Sequence, residues 1–407
     1  MSVFPDHFVT IYRDKSKADP VVLGYEEKTL GRAQARLRDR TTLTPLIDLD
    51  AYQRRSLVDW VDVRISLTNT SQFRWVNERI IALGSRKCFV KPHEAGAGNA
   101  ATEFTIRFQE PDFSIVRSVL SGLDKDLKFT GPAQITGIEI SIDFYPKEPG
   151  NEARAVLHGV LIRHFFPTTA VLRSPRTWPR FNPGVVKDTD YTVGRNLNDV
   201  ERDLTARMTP GMDTAPTYSA TAYIGEKDDP RAFWRIQNKV IDRQNLGAGT
   251  LIDLSEEEKR VRIEVTLGED GCREAGLSNF NDLSKMPIAR LQKKYFQFMK
   301  PTFAINPRGG TKSREVVSRA VEEFRRERFL NAGVLGLQIR EDAIVQRLKE
   351  IRRRLKRIHR INGTRRPLVE RRGTGAYGTM IAYEELSRIV ERALSDLQRR
   401  VRKEMKG

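Results

Sequence analysis

The chain has 407 residues, with 71 Lys and Arg against 53 Asp and Glu, a net charge of +18 and a pI near 10.0. That length supports two or three domains with their own cores, and a field of that sign concentrates polyanions, so nucleic acid is the expected partner. Cys88 and Cys272 lack the spacing of a zinc site or a disulfide framework; no apolar run reaches membrane length, which predicts a cytoplasmic protein with no membrane partner.

The charge is uneven. Residues 311–407 hold 26 Lys and Arg against 13 Asp and Glu, which leaves +5 for the first 310 residues. Grip on a polyanion and any chemistry are therefore expected in different parts of the chain.

Residues 1–60 mix short apolar runs with charge and are expected to form an N-terminal arm or extension. VDVRISL at 61–67 alternates as a strand. SQFRWVNERIIAL at 71–83 predicts a helix capped by Ser71, with Phe73, Val76, Ile80 and Leu83 on one stripe. A strand over 102–108 follows, then a helix burying Ile115, Val119 and Leu123.

ITGIEISIDFY at 135–145 is the stretch on which the rest is organised. Alternation sends Ile138, Ile140, Ile142 and Phe144 to one face and Glu139, Ser141, Asp143 and Tyr145 to the other. Glu139 and Asp143 stand about 13 Å apart along such a strand. A second strand, RVRIEVTL at 260–267, alternates in the same way and turns Arg262, Glu264 and Thr266 to its polar face. Glu139, Asp143 and Glu264 are thus candidates to converge.

Between these strands, 156–171 is apolar enough for a buried element, and 178–217 is a long loop around a helix-like piece at 198–207. A hairpin is expected at 218–225 and 232–239, turning at Asp228, Asp229 and Pro230. It places Trp234 and Ile236 in the core and Arg235, Gln237 and Lys239 on the face where Arg235 and Lys239 balance the acids or hold a phosphate. A helix over 282–298 carries Leu291, Tyr295 and Phe298, and INPRGGTKSR after it marks a boundary.

In the tail, 315–330 reads as helix, and Ile344, Leu348, Ile351, Leu355 and Ile358 recur at spacings of 4, 3, 4 and 3, a heptad seam. Leu386, Val390, Ala393, Leu397 and Val401 give a second. The Gly-rich segment between them suggests a helical hairpin or a dimerising pair. Arg347, Lys349, Arg352, Arg353, Arg354, Lys356, Arg357 and Arg360, against the single acid Glu350, predict phosphate binding, with Arg365 and Arg366 extending the run.

The fold class expected is α+β, a mostly antiparallel sheet with helices on one face. The expected division is an arm over 1–60, an α+β domain over 61–305 and a basic helical tail over 311–407. The five histidines, His7, His93, His158, His164 and His359, form no ligand pair, and GxxxxGK[ST], GxSxG and HExxH are absent. What remains is carboxylate oxygen, which suits Mg²⁺ or Mn²⁺.

ITGIEISIDFY, ATAYIGEKDDPRAFWRIQNK and RVRIEVTL, in that order and at that approximate spacing, resemble the plasmid rolling-circle replication initiators of the Rep_trans family; TEFTIRFQEP before them is similar to the family's preceding strand. The resemblance covers roughly 61–299. It implies homodimers that act with a host helicase on double-stranded origin DNA, nicking one strand through a tyrosine that becomes joined to the 5′ phosphate of the single-stranded product, with a divalent cation. By that resemblance Glu139 and Asp143 match the acidic strand and Glu264 the first glutamate of the last strand, while Thr266 stands where a second glutamate is common.

The family's nucleophile in RIYNK is Gln237 in RIQNK here, and an amide forms no stable ester with phosphorus. Three outcomes follow. Tyr223 on the same hairpin face substitutes, with Tyr145 and Tyr377 as weaker candidates; a metal-bound water attacks; or the protein binds and remodels DNA without cutting it. A basic RNA-binding protein is a further alternative.

Overall fold

The computed structural model describes residues 6–14, 16–17, 19–31, 37–85, 88–96, 99–182, 206–212, 215–245, 250–305, 312–363 and 380–406. The fold is α+β, with antiparallel sheets and a long helical C-terminal region. Among the described residues no helix is long and apolar enough to cross a membrane.

The chain forms two compact units that interleave in sequence. One comprises Met1–Leu49, Gly150–Ala222 and Gln297–Glu384; the other comprises Asp50–Pro149, Tyr223–Phe296 and Glu385–Gly407. This differs from the expected arm, domain and tail. Residues 1–49 are not an arm, because three of their strands need partners from near the C-terminus to complete a sheet. Residues 311–407 are divided between the units rather than forming a separate tail.

The first unit holds a five-stranded antiparallel sheet in the order His7–Ile11, Val21–Thr29, Arg40–Pro45, Met299–Ala304, Met380–Ala382. The apolar stretch expected near 156–171 is the helix Asn151–His164, whose Leu157, Val160 and Leu161 are buried. His164 carries a buried ring 2.8 Å through Nδ1 from the Met299 carbonyl oxygen, and its neighbour Arg163 donates from Nε to the Leu330 carbonyl at 2.6 Å and from Nη1 to the Gly159 carbonyl at 3.1 Å. Burial pushes both His158 and His164 down to about 3.

The helix Lys312–Ile361 belongs to the same unit and is kinked at Gly333, whose φ of 68° lies in the left-handed region. A Cβ there would come within 2.6 Å of the Arg163 Cα. Residues 198–205 of the expected helix-like piece lie outside the described residues, and Ala206–Arg207 is a short strand beside Arg180–Asn182.

In the second unit six strands run antiparallel in the order Cys88–Pro92, Ala100–Gln109, Tyr52–Gln72, Gln134–Pro146, Arg260–Leu267, Ala232–Lys239. The organising stretch is the central strand Gln134–Pro146, hydrogen-bonded on both edges. Ile138, Ile140, Ile142 and Phe144 are buried as the alternation requires, together with Val261, Ile263, Val265 and Leu267 of the next strand. The polar face is buried as well: Glu139, Ser141 and Asp143 have almost no exposure. A carboxylate in that position requires a partner, since an isolated buried charge is costly.

The helices of this unit differ in detail from the sequence expectation. The first is Phe73–Ala82; Ser71 belongs to the preceding strand, and no side chain caps the helix. The next, Phe113–Leu127, starts at Asp112, whose carboxylate accepts from the Ser114 and Ile115 amides, and it buries Val116, Val119, Leu120 and Leu123 while Ile115 is 40% exposed. The expected 282–298 helix is split at Pro287 into a short turn, Phe280–Lys285, and Ile288–Tyr295, because proline has no amide to continue the ladder.

The C-terminal helix, Glu384–Lys406, buries Leu386, Val390, Leu397 and Val401. Gln398 donates to the Met286 carbonyl at 2.5 Å, Gln292 to the Ser387 carbonyl at 2.6 Å, and Arg117 to the Met405 carbonyl at 2.6 Å. The second heptad seam is therefore spent inside this unit and not on a hairpin with the first.

Candidate functional site: an acid and arginine cluster on the central sheet

Register decides what meets on the polar face. The central strand places Glu139 opposite Thr266 and Asp143 opposite Arg262, and across the following pair Arg235 lies opposite Glu264 and Gln237 opposite Arg262. Directly opposed side chains in an antiparallel pair are close enough to bond.

Asp143 does not join the other two acids. Arg262 grips it with Nε and with Nη2, the latter at 2.6 Å, and Arg260 Nε adds a contact at 3.0 Å. Tyr145 donates its hydroxyl to the same carboxylate at 3.3 Å. With three cationic or donor groups on one buried carboxylate, Asp143 is a counter-ion and not a free ligand.

Asp59 takes the expected place of Asp143. In the strand Tyr52–Gln72 the pairing runs Val58 to Ile140 and then Trp60 to Glu139, so Asp59 is the extra residue of a β-bulge. A bulge re-aims a side chain, and here it brings the Asp59 carboxylate onto the polar face. One oxygen from each of Asp59, Glu139 and Glu264 lies within 4.8 Å of the others.

The remaining contacts hold this trio in place. Arg262 Nη1 reaches Asp59 Oδ1 at 3.0 Å and Glu264 Oε1 at 3.4 Å. Arg235 donates from Nη2 to Glu139 Oε1 at 3.1 Å and pairs through Nε with Glu264. Thr266 donates to Glu139 Oε2 at 2.6 Å and Gln237 Nε2 to Glu264 Oε1 at 3.2 Å. Asp59 Oδ2 accepts no hydrogen bond among the described residues.

The groups in direct contact comprise four carboxylates, Asp59, Glu139, Asp143 and Glu264, and three guanidiniums, Arg235, Arg260 and Arg262. The cluster is one positive charge short. Glu264 carries the consequence: burial, with the Glu139 charge beside it, pushes its carboxyl up to about 7 despite Arg235 and Arg262. Burial would lower the Arg235 and Arg262 guanidiniums, but the acids around them raise both.

A hard divalent cation fits this donor set. All three ligands are carboxylate oxygens, one of them has a lone-pair face with no partner, and the local charge is in deficit. Arg235 is the partner that would have to leave, and its side chain, 32% exposed, is the one with room to do so.

The other expected site residues are placed less centrally. Tyr223 stacks on Phe233, ring centroids 5.8 Å apart at 19°, four residues along the strand from Gln237. Lys239 pairs with Asp242 at 3.1 Å. Arg352, Arg353, Arg354, Lys356, Arg357 and Arg360 are exposed on the Lys312–Ile361 helix of the other unit, while Arg365, Arg366 and Tyr377 lie outside the described residues. Asp59 was missed because a bulge breaks period-two alternation; the signal was present in VDWVDV, where Asp59 and Asp62 stand three apart and cannot both obey one strand's alternation.

No protein-family model matches the chain, and no curated protein matches its sequence. The likeness to rolling-circle initiators therefore rests on its motifs and their order.

Proposed function

We propose that this is a DNA-binding replication initiator of rolling-circle type in which Asp59, Glu139 and Glu264 hold a divalent cation. The observation that carries the reading is the convergence of these three carboxylates, from three neighbouring strands, beside Arg235 and Arg262. Support also comes from the net charge of +18, the arginine run at 347–360 and the order of the three motifs.

A bound Mg²⁺ or Mn²⁺ would supply Lewis-acid polarisation of a phosphodiester oxygen. The chain's own groups do the rest. Arg262, fixed by Asp143, orients Asp59 and Glu264. Arg235, released from Glu139 and Glu264, turns to the phosphate and stabilises the charge that develops on the phosphorane. Tyr223, near Arg235 on the adjacent strand, supplies the hydroxyl for attack: its oxygen bonds to phosphorus as the bond from phosphorus to the 3′ oxygen breaks, and the phenol proton ends on the departing 3′ hydroxyl.

A second reading is favoured by one contact. Gln237, at the family's tyrosine position, has its amide bound to Glu264, an arrangement with no nucleophile in it. On that reading the protein binds and remodels DNA, and the cation has a structural role.

Incubation with supercoiled and single-stranded DNA carrying an inverted repeat, plus Mn²⁺, separates the two. Nicked circles and a protein–DNA adduct that Tyr223→Phe abolishes support the first. Salt-sensitive binding with neither product leaves the second, and failure to bind DNA at all removes both.

A further inference from the structure

Beyond the kink at Gly333 the helix Lys312–Ile361 is buried through Ile339 and then becomes exposed, continuously from Gln346 to Ile358. Its first heptad seam, Ile344, Leu348, Ile351, Leu355 and Ile358, is between 44 and 51% exposed, and residues 347–358 are exposed on every side. Most helical stability in proteins comes from packing of an amphipathic face, and an apolar stripe at heptad spacing is the face that packs against another helix.

The spacing sets Leu348 and Leu355 at a positions and Ile344, Ile351 and Ile358 at d. Arg347 and Arg354 then occupy g, and Val345, Arg352 and His359 occupy e. These are the positions that choose a coiled-coil partner. In a parallel pair of identical chains, Arg347 of one copy meets Arg352 of the other; in an antiparallel pair, g meets g, again arginine on arginine. Like charges at these positions oppose self-pairing. Nucleic acid matches the charge but has no apolar ridge to cover the seam.

We propose that this seam docks an acidic amphipathic helix of a partner protein, with apolar residues at its a and d positions and Glu or Asp at e and g, forming a heterotypic coiled coil. The inner arginines Arg347, Arg352 and Arg354 are then neutralised by the partner, while Arg353, Lys356 and Arg360 face outward and stay available to phosphates. The inference is independent of the acid cluster.

The test uses the full chain and two synthetic helical peptides with the same Ile and Leu seam, one with Glu and one with Lys at every e and g position, read by fluorescence anisotropy. The Glu peptide is expected to bind at least about tenfold more tightly, and Leu348→Ser with Leu355→Ser to abolish that binding. Arg347→Glu with Arg352→Glu and Arg354→Glu is expected to reverse the preference; this gain of Lys-peptide binding is a result that misfolding does not produce. Equal binding of the two peptides, binding of neither, or Glu-peptide binding that survives the seam variant overturns the proposal. So does sedimentation showing a dimer that the seam variant dissociates, which would make a second copy the occupant.

Discussion

Gln237 donates its amide to Glu264 Oε1 at 3.2 Å, at the strand position where rolling-circle initiators of the resembled family carry a tyrosine nucleophile. The contact ties the departure at the nucleophile position directly to the carboxyl that burial pushes up to about 7. Chemistry at this site is therefore set by what competes for Glu264: a proton, Arg235, the amide, or a cation.

The two aspartates of the polar face are expected to behave oppositely. Asp143→Asn leaves Arg262 and Arg260 without their main counter-ion in a buried setting, and loss of one partner of a buried pair destabilises by about 3 to 5 kcal/mol. Asp59→Asn keeps the fold and weakens cation binding by at least about tenfold. Thermal melts and a Mn²⁺ titration of both variants check this; equal effects of the two on the melt would refute the division of roles.

Cation affinity is expected to depend on pH through Glu264. The ion requires the ionised carboxylate, so below pH 7 it competes with the proton, and its affinity should fall by about tenfold per pH unit for one proton displaced. Above pH 7 the dependence levels off. Isothermal titration with Mn²⁺ at pH 6 and pH 8 reads the difference, and Gln237→Leu, which removes a donor from the carboxylate, moves the midpoint upward.

Acid destabilises the first unit through His158 and His164. Their pKa values lie near 3 when folded, against the ordinary 6.5 when unfolded. The unfolded chain binds the extra protons between these limits, so stability is lost as pH falls from about 6.5 towards 3, by about 1.4 kcal/mol per pH unit for each ring. His164→Gln halves that slope; an unchanged slope in denaturant titrations at several pH values would exclude the assignment.

Gly333→Ala is expected to unfold or straighten the kink, because the added Cβ meets the Arg163 backbone at a left-handed φ. A loss of a few kcal/mol is the scale for strain of that kind. The melt of the variant gives the value, and Gly363→Ala, also left-handed but with open space around it, is the milder control.

What was legible in the sequence were patterns that depend on one strand or one helix. The alternation in ITGIEISIDFY and RVRIEVTL placed Glu139 and Glu264 on a common face, and the 4, 3, 4, 3 spacing placed the seam of the long helix. What was not legible depends on register between strands. Which acid Arg262 would claim follows from its sitting opposite Asp143, and Asp59 entered through a bulge that single-strand periodicity does not contain. The burial of the polar face was not legible for the same reason: Glu139 and Asp143 are buried in the folded sheet, and the arginines that compensate them come from neighbours far away in sequence.

The interleaving of the two units sets the order in which the chain can mature on the ribosome. Met299–Ala304 and Met380–Ala382 close a sheet begun at His7–Ile11, so the earliest strands emerge hundreds of residues before their last partners. Nascent chains should stay unfinished, and open to chaperones and proteases, until translation is nearly complete. Each unit is drawn from three separate segments of the chain, so no contiguous truncation isolates the acid-cluster unit, and a design that joins its segments is the sensible route to it.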